Sequence, residues 1–169
     1  MVPRVPRYPG GTCYSATSHF ASQNGGGPVY GWMIEWVPNV YIRMMHHAVW
    51  RAPDGRLFDI THAQNRPSPP SSLTTFVVDE REKPDVNNVA RIDNRHLMLV
   101  TDPDVDGALE SYLKNNFFRR QRYFLDLDFR AGRLSRRKYE IQVAEADKQT
   151  DASFDKLHDY NAIIRARYF

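Results

Sequence analysis

A chain of 169 residues, 41% hydrophobic and 12% aromatic, is long enough for one compact domain with its own core, and nothing in it approaches the roughly 20 consecutive apolar residues of a membrane span. A net charge of +3 is weaker than the concentrated positive charge of a dedicated nucleic-acid binder, and a single cysteine excludes an intramolecular disulfide framework and a multi-cysteine zinc site. The N-terminal MVPRVPRYPGG lacks the apolar middle region of a secretory signal, so a soluble, cytoplasmic protein without membrane partners is expected.

Residues 1–12, with three prolines and two glycines, read as an extended arm ending in a turn. A short helix then runs from Cys13 to Gln23, with Thr12 as its N-cap and Asn24-Gly25-Gly26-Gly27 as its stop. PVYGWMIEWV, VYIRMMHHAVW and RLFDIT follow as three strands. QNRPSPPSS, residues 64–72, has the composition of an exposed Pro/Ser-rich loop, and LTTFVVD and RHLMLVT look like two further strands. From Thr101 the pattern turns helical: Asp102-Pro103 opens a helix, and Val105, Leu109, Tyr112, Leu113 and Phe117 recur at helical spacing. Breaks at Ala131-Gly132 and around Thr150-Asp151 predict two more helices, with Phe154, Leu157 and Ile164 as one apolar stripe. The expected architecture is α+β: residues 1–101 as a cysteine-bearing helix on an antiparallel sheet, and residues 102–169 as a helical region packed on that core or extending from it.

Cys13 stands at the start of a helix, where free N–H groups and the positive end of the dipole favour a thiolate. A small thiol at that place is equally at home as packing, so the histidines and Asp59 decide the reading. Ala52-Pro53-Asp54-Gly55-Arg56 fits a three-residue hairpin loop: a type I turn at Pro53-Asp54, then Gly55 in the left-handed region, so that Ala52 pairs with Arg56. Counting outward, Trp50 faces Phe58 and Val49 faces Asp59, which sets Asp59 beside His47 on one face and His46 on the other. A two-residue Asp-Gly turn would reverse the parity and select His46 as the base.

A cysteine opening a helix, a strand bearing His47-Ala48-Val49-Trp50, and a next strand bearing Asp59-Ile60-Thr61 after a glycine turn resemble, in that order, the core of the transglutaminase-like superfamily. With Tyr30-Gly31-Trp32 they look like its small uncharacterised bacterial members. The resemblance covers about fifty residues and implies a papain-like fold with a Cys13, His47, Asp59 triad. It implies thiol-dependent acyl chemistry on an amide- or peptide-containing substrate, by hydrolysis or transfer, with no cofactor. A cysteine this close to the start of the sequence leaves little room for the upstream elements that carry an oxyanion-stabilising glutamine in papain-type proteases. Tyr30, Trp32 or a backbone amide are the candidate donors, and Tyr30, Trp32 and Trp50 the candidate substrate-lining residues.

His46, His47, His62, His96 and Asp59 lack paired metal-ligand spacing, and no metal is expected. Arg119, Arg120, Arg122, Arg130, Arg133, Arg136, Arg137 and Lys138 interleave with Tyr123, Phe124 and Phe129. The alternative to an enzyme is therefore a non-catalytic module that holds nucleic acid or an acidic protein on its basic helices, although such runs are usually solvated helix faces. Glu35, inside an apolar strand, is expected to be exposed at an edge or paired with Arg43. The oligomeric state is left open.

Overall fold

The computed structural model describes residues 1–61, 73–84 and 92–169, which leaves His62, the Pro/Ser-rich stretch 64–72 and Asn87-Asn88 outside the described residues. The chain divides into two compact units, Met1–Leu97 and Met98–Phe169.

The first unit is a mixed sheet with one helix. Its elements are β1 (Val2–Tyr8), α1 (Cys13–Asn24), β2 (Gly27–Val37), β3 (Tyr41–Arg51), β4 (Leu57–Thr61), β5 (Leu73–Thr74), β6 (Phe76–Val78) and β7 (Arg95–Met98). The strand order is β5-β1-β4-β3-β2-β6, with β7 also pairing to β3. β2 and β3 form the long central hairpin, in unbroken antiparallel register from Gly27↔Arg51 to Val37↔Tyr41. Glu35 and Arg43 face each other in that register and form an ion pair.

Three expectations are corrected here. Residues 2–8 are not a free arm but a strand, and β1 runs parallel to β4, so the sheet is not purely antiparallel. The parallel register shifts between Arg4 and Tyr8, and Pro6, which has no N–H to offer a ladder, falls inside that irregular stretch. LTTFVVD is not one strand: β5 joins β1, β6 joins β2, and Thr75 spans the two edges, its carbonyl accepting from the Ile34 amide at 2.9 Å. The stretch 73–78 thereby nearly closes the sheet on itself, which removes two exposed edges. Val2, Val29 and Val49 form the buried core of this unit, with Leu57 and Phe76 packed against them.

The second unit is a helical hairpin of α2 (Pro103–Arg130) and α3 (Arg136–Tyr168), about 42 and 50 Å long at 1.5 Å per residue. Asp102 caps α2 by accepting from the Asp104 amide at 2.8 Å, with Pro103 in the first turn. The expected break near Thr150 is absent. Thr150 and Ser153 turn their hydroxyls back to the Ala146 and Gln149 carbonyls at 2.8 Å each, and Asn115 of α2 donates to the Thr150 carbonyl at 2.9 Å. Polar residues that look like a helix breaker are therefore the inter-helix contact. The two helices meet through small and polar side chains: a Cβ at Gly107 would lie 2.4 Å from the Tyr160 ring. Val105, Leu125 and Ile164 are buried, whereas Leu113, Phe117 and Phe154 are exposed, so of the expected stripe Ile164 is buried and Phe154 is not.

Candidate active site

Cys13 is the first residue of α1 and is buried. Thr12 occupies the N-cap position, but its hydroxyl donates to the Pro9 carbonyl at 2.7 Å rather than capping the helix. Among the described residues no side-chain cap and no acidic residue compensates the first turn, which suits its amides and dipole to an anion beside the thiol.

The β3–β4 hairpin has the three-residue loop. The Ala52 amide donates to the Arg56 carbonyl at 2.8 Å, the Gly55 amide to the Ala52 carbonyl at 2.9 Å, and Gly55 adopts φ 86°. Trp50 pairs with Phe58 and Arg51 with Leu57, and the same register carries His47 to the Asp59 side of the hairpin. His47 Nε2 lies 3.1 Å from Asp59 Oδ1; the ring N–H is off the line to the carboxylate, so the contact is an ion pair more than a linear hydrogen bond. The Cys13 thiol is the second group beside the His47 ring that favours its charged form. Burial alone would lower the imidazole pKa, but the bonds and charges from Asp59 and Cys13 outweigh it and push it up to about 9.

Asp59 is fully buried and saturated. Oδ1 accepts from the Thr61 amide at 3.1 Å and its hydroxyl at 2.9 Å, and Oδ2 from the Thr74 hydroxyl at 2.7 Å and Arg4 Nε at 3.1 Å. Burial would raise its pKa; the His47 interaction and the Thr74 and Thr61 hydrogen bonds hold it well below the usual carboxylate range. Arg4 and Thr74 were not foreseen. The only signal is the shared strand parity of Val2 and Arg4, masked by Pro3 and Pro6 on either side of Arg4.

His46, on the opposite face, is the centre of a second cluster. Its Nδ1 is 2.8 Å from the Tyr14 hydroxyl, its ring stacks near Tyr30 at 6.4 Å, and Trp32 meets it edge-on at 5.1 Å. Burial lowers its pKa. Of the candidate substrate-lining residues, Tyr30 and Trp32 thus belong to the His46 cluster, which Tyr14, the residue after Cys13, also joins. Trp50 does not: it packs on Phe20 at 4.9 Å and Phe58 at 5.7 Å and donates to the Gly25 carbonyl at 2.9 Å, a contact that ties the end of α1 to β3.

Several arginines of the basic run, on the two helices and in the turn between them, have carboxylate partners. Arg122 bridges to Asp126 and Asp147, Arg133 to Asp128 and Arg136 to Glu140, which thins the basic patch on which a nucleic-acid partner would depend; Arg119, Arg120 and Arg137 lie on the same two helices. Among the described residues no group of three or more His, Cys, Asp or Glu side chains could hold a metal ion, and no helix is long and apolar enough to cross a membrane. Compared with known proteins, the chain matches no family model, no curated protein and no solved structure.

Proposed function

We propose that the first unit is a papain-like, transglutaminase-like core performing thiol-dependent acyl chemistry, with Cys13 as nucleophile, His47 as base and Asp59 as the group that orients and charges the imidazole. The observation that carries this reading is His47 held between the Cys13 thiol and a buried carboxylate 3.1 Å from its Nε2, at the uncapped start of a helix.

In this scheme His47 takes the Cys13 proton and the sulfur attacks an amide carbonyl, whose oxygen gains the charge. The α1 amides are suited to hold that oxyanion. Collapse breaks the C–N bond, and the leaving amine takes its proton from His47. Water or a second amine, deprotonated by His47, then attacks the thioester and releases the sulfur.

Iodoacetamide near neutral pH tests this. Cys13 should label fast in the wild type and at least about 100-fold more slowly in His47→Ala, on the scale of general-base contributions. Equal labelling in both would remove the reading. The alternative binding module loses ground because Asp126, Asp128, Glu140 and Asp147 already engage its arginines.

A further inference from the structure

Trp32 is fixed and covered in an unusual way. Its Nε1 donates to Asp79 Oδ2 at 3.1 Å and its edge meets His46. The guanidinium of Arg95 lies over the indole face, 4.3 Å from the ring centroid, and the same guanidinium forms an ion pair with Glu82. Trp32 is 4% exposed, whereas the side chains of Arg95 and Glu82 are 49% and 39% exposed. The Arg95 guanidinium therefore covers the indole face from the solvent side, with a carboxylate beside it.

Tyr14, the residue after Cys13, joins this cluster to the start of α1. It hydrogen-bonds His46, and its rings and neighbours run Tyr14, Tyr30, His46, Trp32. The hydroxyl of Tyr14 feels both Cys13 and Glu82: its pKa is raised by burial first and then by the charges of Cys13, Tyr30 and Glu82.

We propose that the Trp32 face together with Glu82 is a subsite for a guanidinium or alkylammonium group of the substrate, and that Arg95 occupies it in the resting chain. This names the substrate class of the thiol site and rests on the acyl-chemistry reading for its purpose. The chemistry is that of cation recognition generally, an indole face opposed to a carboxylate. Displacement is feasible because the occupant is held by one half-exposed ion pair and one ring contact, both weak restraints in water. A substrate cation seated there would exchange with Arg95 and bring its carbonyl toward Cys13.

The test uses agmatine and the indole N–H signal of Trp32, assigned by its loss in Trp32→Phe. Agmatine should shift that signal in Arg95→Ala with a dissociation constant at least about tenfold below that of the wild type. Arg95→Lys should behave like the wild type, and Glu82→Gln placed on Arg95→Ala should lose the gain. Equal binding in the wild type and Arg95→Ala, or no shift in either, overturns the subsite. A second arm reads the link to the thiol. Labelling of Cys13 by cationic aminoethyl methanethiosulfonate, relative to neutral methyl methanethiosulfonate, should rise several-fold in Arg95→Ala. Agmatine binding with no change in that ratio overturns the substrate role. Failure of the acyl chemistry itself would show separately, as iodoacetamide labelling indifferent to His47→Ala with the agmatine result intact.

Discussion

Two adjacent histidines on β3 have been driven in opposite directions by the two faces of one strand. His47 meets the Cys13 thiol and the Asp59 carboxylate, and its pKa rises to about 9; His46 meets Tyr14, Tyr30 and Trp32, and its pKa falls. Burial acts against the charged form of both; for His47 the Asp59 and Cys13 interactions outweigh it, whereas for His46 the more distant Glu82 and Asp79 do not. The lesson is that strand parity, set by a three-residue loop, divides one dipeptide into a charged partner for a thiol and a neutral partner for an aromatic wall.

Removing the carboxylate should break this contrast most severely. Asp59→Ala leaves the buried Arg4 guanidinium, two threonine hydroxyls and His47 without their acceptor, and a loss of about 3–5 kcal/mol is expected in urea denaturation. Asp59→Asn, which keeps the shape, should cost less while still lowering the His47 pKa.

pH should separate the two histidines by sign. For His47 the folded pKa is above the ordinary 6.5, so the folded state holds the extra proton between pH 6.5 and about 9; its stabilisation is complete below that window and lost as pH rises through it. The swing is on the order of 3 kcal/mol, and His47→Gln should flatten it. For His46 the folded pKa is below 6.5, so its contribution is present above that value and lost as pH falls through the lowered one; His46→Gln should blunt the loss on the acid side. Stability measured across pH 5 to 10 in the two variants checks both signs.

Smaller effects follow from the devices that set the two faces. Gly55→Ala forces a side chain into φ 86° at the loop that fixes the parity and should cost about 1–2 kcal/mol. Tyr14→Phe, which leaves His46 Nδ1 without its 2.8 Å partner, should cost about 1 kcal/mol and leave the His47 titration unmoved.

What was legible in the sequence is what local chemistry decides. Pro53-Asp54-Gly55 specifies the loop, the loop specifies the register, and the register brings His47 rather than His46 to Asp59. Glycines stop α1, and Asp102-Pro103 starts α2, for equally local reasons. What escaped depends on distant partners. Arg4 looks like part of a solvated proline arm until Asp59 is beside it, and Thr75 looks mid-strand until the two edges of the sheet approach. Thr150 and Ser153 look like a helix break until Asn115 meets them. Tyr14 is one more helix aromatic in the sequence, and only the fold of α1 over β3 gives its hydroxyl a histidine.

The central claim is that His47 is an imidazolium favoured by the Cys13 sulfur and the Asp59 carboxylate beside it, and an NMR titration of the His47 ring in the wild type and in Cys13→Ala tests it most directly. The account predicts a pKa near 9 that drops clearly once the sulfur is gone. A wild-type value at or below the ordinary 6.5, unmoved by Cys13→Ala, would contradict it.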